Sequence, residues 1–520
     1  MENEMTVDMQ QFPEISAEKF KLADKRDLSH DKKLETKPVG YFKGAFKRFC
    51  KNKGSVVAAV IIGILLLFSI IAPFCTPYTV SFNDSNFGSC LPVNNLFKNT
   101  SFWDGCRKMS VNKEAFTKYL AMGEETGHLA VKNEKYTYND HNDLYEFRLD
   151  SYYSLGCVYM NISEELYHQI QDYQNEYDVQ VLYPTVAKRD RPQAIQDQRD
   201  ANYYYKTRGT SKIETVYDKD GKVIPVYKSH DIGEEADDDY YSKRIPSDRQ
   251  NGEEFEYAIP NDAGYEVRAN YYEYFVFKHK VIDKDGITKP HFLFGSTAQG
   301  KDILTNLAMG ARFSFLFAIA VAVVNMIVGV IYGSIEGYYG GKIDLVMERV
   351  SDILSAIPST VVIVLLKLHL GASGQMIVLF VAFFAIGWIG MAGTTRMQFY
   401  RFKNQEYVLA ARTLGAKDPR IMFKHIFPNA IGTLVTSCAL IIPGMIYSEV
   451  NLSYLGIINL STGNLSSVGT MLAQGQSSLM DFPHIIAFPS VFLALLMLSF
   501  NLFGNGLRDA FNPSLRGTEG

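Results

Sequence analysis

The chain has no C-x-x-C pair and no cysteine–histidine cluster at zinc spacing, so no metal site is expected. Its six cysteines, Cys50, Cys75, Cys90, Cys106, Cys157 and Cys438, are few for 520 residues. The phosphate loop G-x-x-x-x-G-K-[ST] is missing, so this chain is expected to bind no ATP and to carry no cofactor. No basic stripe with interleaved aromatics runs along it, and a net charge of -4 gives no reason to expect nucleic acid as a partner. Charge is also missing from several long stretches, and these decide the class.

Runs of about 20 apolar residues can cross a bilayer, and six recur here. They are SVVAAVIIGILLLFSIIAPF from Ser55, FSFLFAIAVAVVNMIVGVIYGSI over Phe313–Ile335, and ILSAIPSTVVIVLLKLHL from Ile353. MIVLFVAFFAIGWIGMAG follows from Met376, AIGTLVTSCALIIPGMIYS from Ala430 and IIAFPSVFLALLMLSFNLFGNGL from Ile485. Lys367 in the third run can snorkel to an interface. Pro358 and Pro443 fit either gating kinks or tolerated helix breaks. Soluble helices do not explain six such runs, and the lipid bilayer is the expected surrounding.

The first run lies too far from the N-terminus for a signal peptide and reads as an uncleaved anchor. Lys43, Lys47, Arg48, Lys51 and Lys53 crowd its entrance, which puts the N-terminus in the cytoplasm. Alternation then places residues 76–292 outside and the C-terminus inside. The short loops agree: the stretch from Arg396 through Lys424 holds seven Lys/Arg, whereas residues 451–484 hold none.

Residues 1–39 read as a disordered cytoplasmic tail, 40–75 as an amphipathic segment with the first span, and 293–510 as the membrane core. Residues 511–520 form a short tail. Between the first two spans, 76–292 are acidic and hold 24 of the 32 tyrosines. This external block predicts an inserted α+β domain. SEELYHQIQDYQNEYD reads as a helix capped by Ser163. KIETVYDKDGKVIPVYKS and YYEYFVFKHKVIDKDGITKPHF each place a D-G turn between β-rich flanks and read as hairpins. The acidic EEADDDYY lacks EF-hand spacing and reads as a solvated loop. Cys90 and Cys106 flank a short loop and are expected to pair as an external disulfide. Tyrosine combines apolar area with a polar tip, which suits a docking surface for another protein; it also favours strands.

Within the membrane core, EYVLAARTLGAKDPRIMFKHIFPNA leaves and re-enters the apolar pattern. Glu406 to Leu414 reads as a helix stopped by Gly415. Asp418–Pro419 opens a second short helix through Phe427, and Pro428 is expected to break it from the fifth span. Ala410 and Ala411 keep the first helix slim, so a groove on a cytoplasmic partner can approach. A basic helix pair lying on the inner leaflet fits as well. Glu449, near the outer end of the fifth span, is a candidate for the translocation path, with a solvated or capping role as the plainer reading.

This stretch resembles the coupling loop of ABC-importer permeases, E-A-A-x-x-x-G followed by I-x-L-P, at Ala410, Ala411, Gly415, Ile426 and Pro428. It departs at Leu409 and Phe427, and Glu406 supplies an acid one turn earlier. FGSTAQGKDILTNLAMGARFSF resembles the segment of oligopeptide and dipeptide permeases, C-type subunit, at Phe294, Gly295, Gly300, Asp302, Leu304, Gly310, Ala311, Arg312 and Ser314. EGYYGGKID, DILSAIP, SEVNLSYLGI and NLFGNGLRDAFNPSLRG follow in the same order. The resemblance spans 40–75 and 292–517 and leaves 76–292 unmatched.

The resemblance implies a six-span, type I ABC-importer permease fold and a multi-pass protein of the bacterial cytoplasmic membrane. It implies half of a pore for oligopeptides, completed by a second permease. An extracellular substrate-binding protein would deliver the peptide. Two partner ATPases, carrying ATP and Mg, would act through 405–428 at Glu406, Ala410, Ala411, Gly415, Ala416, Ile426 and Pro428. The chain itself would be no enzyme. Other cargo of the same group (dipeptide, nickel chelate, sugar) and a receptor-like protein with a sensing ectodomain are the alternatives.

Overall fold

The computed structural model describes residues 41–97, 100, 102–185, 205–208, 212–215, 257–370, 375–460 and 465–511. The tail expected over 1–39, the EEADDDYY stretch, the Asp220–Gly221 turn and residues 512–520 lie outside these residues.

Helix α1 (Tyr41–Lys51) carries its basic residues on one side and lies along the last span. Arg48 Nε donates to Ala510 O at 3.0 Å, and Phe49 meets Phe503 edge-on. Helix α2 (Lys53–Cys75) is the first span, its N-cap Asn52 accepting from Ser55 N.

The chain then builds the insert in two halves. Strand β1 (Cys106–Val111), helix α3 (Lys113–Thr126), β2 (Val131–Asn139) and β3 (Leu144–Asp150) form an antiparallel sheet in the order β1-β3-β2. Helix α3 packs on it through Phe116, against Val131, Phe147 and Leu149. The second half comprises β4 (Cys157–Ile162), α4 (Glu164–Tyr177) and β5 (Leu182–Tyr183). After the short pair β6 (Tyr205–Arg208) and β7 (Lys212–Thr215), β8 (Ala258–Asn261) and β9 (Gly264–Asn270) complete it, with β9 between β4 and β5. Ser163 caps α4 as expected, Oγ accepting from Leu166 N at 3.2 Å. Arg268 on β9 and Glu125 on α3, both fully buried, join the halves through hydrogen bonds of 2.6 and 2.9 Å.

The hairpin expected over 271–292 is instead a helix, α5 (Tyr271–Phe277), running into a π-turn, Lys278–Asp283. Burial overrides β propensity here. Phe275 and Phe277 fill two separate cores, and Asn270 Oδ1 caps the helix from Tyr272 N.

Helix α6 (Ile303–Tyr339) starts ten residues earlier than the apolar run, at the N-cap Asp302, which accepts from Thr305 N at 2.8 Å. The expected third span is broken. Helix α7 (Gly341–Ser355) and α8 (Ser359–Leu370) meet at 68°. Pro358 has no N–H to continue the ladder and biases Ile357 away from helix. Then come α9 (Gln375–Phe402), α10 (Glu406–Thr413), α11 (Phe427–Tyr454), α12 (Val468–Gly475) and α13 (His484–Phe511). Among the described residues five helices are long and apolar enough to cross a membrane, or six with the bent pair counted as one.

Helix α6 is the central post, packed on α2, α9 and α11. Gly329, Gly333 and Gly337 recur every fourth residue and let α6 approach the α9 backbone. A Cβ on Gly333 would stand 2.1 Å from Ala392 O. Above α6 and α13 sits the insert. Ser296 Oγ accepts from Cys90 N at 2.8 Å, and Trp103 Nε1 donates to Leu293 O at 2.6 Å.

Candidate functional site

Between α9 and α11 the chain folds into a compact knuckle. Gly415 ends α10 in the left-handed region (φ 81°), with its N–H on Arg412 O and the Ala416 N–H on Ala411 O. Asp418–Arg420 then makes one helical turn, and Ile421–Ile426 follows in π register. The expected break at Pro428 does not occur. Helix runs on from Asp418 to Tyr454. Pro428 sits in the first turn of α11, directly after the widened π-turn, where its lack of an N–H is tolerated.

Val408, Ile421, Met422 and Ile426 turn inward onto Tyr338 of α6 and Phe399 of α9, and Ala411 is buried as well. Ala411 and Ile426, two of the residues expected at the coupling loop, are buried within the chain. The outward face carries Glu406, Ala410, Gly415 and Pro428, all exposed, and Ala416 is half-buried. Tyr407, Leu409, Leu414 and Phe423 surround them, Leu414 being 87% exposed. Small and apolar residues share this exposed stretch with Arg412, Lys417, Arg420 and Lys424, a mixed surface open to a second macromolecule.

The knuckle is held from behind. Tyr338 Oη donates to Asp418 Oδ1 at 2.6 Å, and Arg412 Nη2 donates to Tyr338 Oη at 3.4 Å with its guanidinium over the ring. One turn away, Arg396 on α9 donates to both oxygens of Asp344 (2.6 and 3.0 Å) and both of Glu348 (2.8 and 3.0 Å). Tyr400 also donates to Asp344, and Lys403 Nζ donates to Gly337 O at 3.0 Å. Paired bidentate geometry of this kind fixes orientation as well as charge. The sequence reading missed this lattice. Its local signal is G-x-x-x-G-x-x-x-G followed by the acids of KIDLVMERVSD.

Glu449 is not solvated: it is 0% exposed. Its carboxylate accepts from Ser314 on α6 (2.7 Å), Ser453 on α11 (3.1 Å) and Ser467 ahead of α12 (2.6 Å). A buried carboxylate so satisfied is a joint between three elements. Asn325 on α6 is also fully buried, and neither its Oδ1 nor its Nδ2 has a partner.

Cys90 and Cys106 are free thiols, which corrects the disulfide expected of them. Cys90 Sγ lies 3.6 Å from Ser151 O, a long-range contact, and Cys106 Sγ lies 3.4 Å from Asp104 O within its own turn. Burial pushes the Cys106 thiol up to about 12 and raises the Cys90 thiol further. Among the described residues His279, Asp283 and Asp285 bring ligand-type atoms within 4.8 Å. His279 Nδ1 already hydrogen-bonds Asp285 Oδ2 at 2.7 Å there.

Two family profiles match the chain. Residues 325–517 match the binding-protein-dependent transport system inner membrane component, and 40–92 match the N-terminal TM domain of oligopeptide transport permease C. The oligopeptide transport system permease protein OppC of Bacillus subtilis (strain 168) is 42% identical over 229 residues, 44% of this chain and 73% of that protein. The dipeptide transport system permease protein DppC of Lactococcus lactis is 38% identical over 226 residues, 43% of this chain and 64% of that protein. OppC of Haemophilus influenzae is 39% identical over 226 residues, 44% of this chain and 71% of that protein. The profiles leave 93–324 unmatched, and the N-terminal one runs past the boundary expected at residue 75.

Proposed function

We propose a function from one premise: this chain belongs to the inner-membrane permease family of binding-protein-dependent transport systems, with oligopeptide and dipeptide permeases as its relatives. It is a multi-pass permease subunit of an ABC transporter and not an enzyme. The proposal is that it imports oligopeptides as half of a pore. A second permease forms the other half, two ATPases carry ATP and Mg, and an external binding protein delivers the cargo. Dipeptides are the other cargo that the relatives' names support.

The observation that carries the mechanism is the knuckle over 405–428. Its outward side mixes small, apolar and basic residues around Ala410 and Gly415, while its inward side is locked to α6 and α9. An ATPase gripping Tyr407, Leu409 and Leu414 would move that rigid body and, through Tyr338, the end of α6. Helices packed on α6 would then re-aim together. An inner-leaflet helix pair would leave the same face against lipid, with no lever arm required.

In this reading both termini and the knuckle are cytoplasmic and the insert is external, as the basic residues of α1 and of Arg396–Lys424 favour. The insert rises from the outer ends of α2 and α6, where it would receive the loaded binding protein. Co-purification with the ATPases and peptide uptake, measured for the wild type and for Leu414→Asp, test the proposal. Leu414→Asp should lose both while the chain still reaches the membrane. Unchanged co-purification and uptake in that variant would remove the coupling role of this face.

A further inference from the structure

Along α13, Phe488, Val491, Leu495, Leu498 and Leu502 recur every three or four residues and share one helical face. The last four are exposed, so this stripe is an outward apolar surface of a membrane span. Phe488 tops it, one turn inside a helix that begins at His484. There the insert covers it. Trp103 stacks on Phe488 with centroids 5.9 Å apart, and Phe294 stacks on the same ring at 4.3 Å. Trp103 is thereby fixed at the depth of the first turn of a span, and its indole N–H is spent on Leu293 O.

Among the described residues on the free side of Trp103, exposed Asn95 and Thr100 stand beside several apolar side chains that are left unpacked. Phe97 stacks on its indole at 6.1 Å and Phe102 meets it edge-on at 5.2 Å. Leu96 is nevertheless 86% exposed and Phe102 67%, and Phe97 is exposed as well. The neighbouring turn before α13 adds Met480 and Leu479, both exposed. Arg107 lies over the Phe482 ring at 5.2 Å, which puts a cation at the same level. A tryptophan at a span's end, apolar side chains beyond it and a cation beside it are the components of an interfacial anchor.

We propose that Leu96, Phe97 and Phe102 insert into the bilayer leaflet on the insert's side, with Trp103 at its interface, so that the insert is fastened to lipid as well as to α13. The occupant is lipid because the surface is continuous with the exposed stripe of α13. The proposal rests on the membrane-spanning character of α13 and not on the cargo or on the side of the membrane. Peptide uptake therefore plays no part in its test.

The chain has two tryptophans, Trp103 and Trp388. The W388F protein, reconstituted in full into phosphatidylcholine vesicles brominated at shallow acyl positions, leaves Trp103 as the single indole. F102W in that background adds an indole at the exposed tip. Expected are a blue-shifted emission, loss of that emission in brominated vesicles, and a larger lost fraction with F102W, while aqueous iodide quenches weakly. Should F102W fail to reach the membrane, L96W in the same background reads the same surface. If bromolipid leaves the tip indole's emission unchanged, or iodide quenches it as strongly as bromolipid does, the anchor is overturned. A binding protein that quenches or shifts the tip indole where bromolipid does not would assign the surface to protein docking instead.

Discussion

Tyr338 and Asp418 are 80 positions apart and share a hydrogen bond of 2.6 Å, phenol to carboxylate. It joins the last turn of α6 to the first turn of the helix that becomes α11. In the proposed coupling, a push on the knuckle would reach through it the helix against which α2, α9 and α11 pack.

Tyr338→Phe should therefore uncouple the transporter without unfolding it. A hydrogen bond to an ion at a partly exposed place contributes on the order of 1 kcal/mol. Uptake is expected to fall several-fold while ATP hydrolysis by the co-purified ATPases persists. The ratio of peptide imported to ATP hydrolysed, measured in reconstituted vesicles, reads this directly. An unchanged ratio would deny the bond any part in transmission.

Gly415 separates backbone strain from partner contact. Its φ of 81° makes any side chain cost about 1 kcal/mol, yet a Cβ there meets nothing within 4 Å. Gly415→Ala and Gly415→Asp share that strain and differ in charge on the outward face. Uptake should survive in the alanine variant, somewhat reduced, and vanish in the aspartate variant, with both proteins at wild-type levels in the membrane. Equal activity in the two would mean that no partner covers this turn.

Glu449 is expected to act as a joint. Glu449→Ala strands three buried hydroxyls and opens a cavity, a loss of about 3 kcal/mol or more. Its melting temperature in detergent should drop by several degrees. Glu449→Gln keeps an acceptor and the volume and should recover most of the stability and the uptake. Full stability with abolished uptake in the glutamine variant would put the carboxylate's charge on the translocation path after all.

Cys90 and Cys106 should both be recovered as free thiols from the unreduced protein. Their raised thiol pKa values keep them protonated at pH 8, and the thiolate is the form that reacts. Alkylation at that pH is expected to be slow on the native protein and fast after denaturation, with the mass of each peptide reporting the modification. A peptide pair joined at these two residues would restore the disulfide.

Much of this protein was legible without its structure, because lipid imposes a local rule. A span must satisfy its own backbone and show apolar side chains, so each can be found one run at a time. The basic residues of α1 and of the knuckle carry the orientation argument in the same local way. Gly415 and Ser163 were legible too, since a left-handed stop and an N-cap depend on a few neighbouring residues.

What depended on packing was not legible. Nothing near Glu449 in the chain announces that Ser314 and Ser467 will close around it, because hydroxyls acquire that meaning only when three helices meet. Ala410 and Ala411 are adjacent and chemically alike, and only the folded chain leaves one exposed and buries the other. The aromatic run Tyr271–Phe277 has strand propensity and became a helix because two cores needed its rings. Pro428, a breaker by local chemistry, is accommodated behind a π-turn whose apolar residues are held from both sides. Local chemistry determined which segments cross the membrane, and long-range contacts decided which side chains remain free to act.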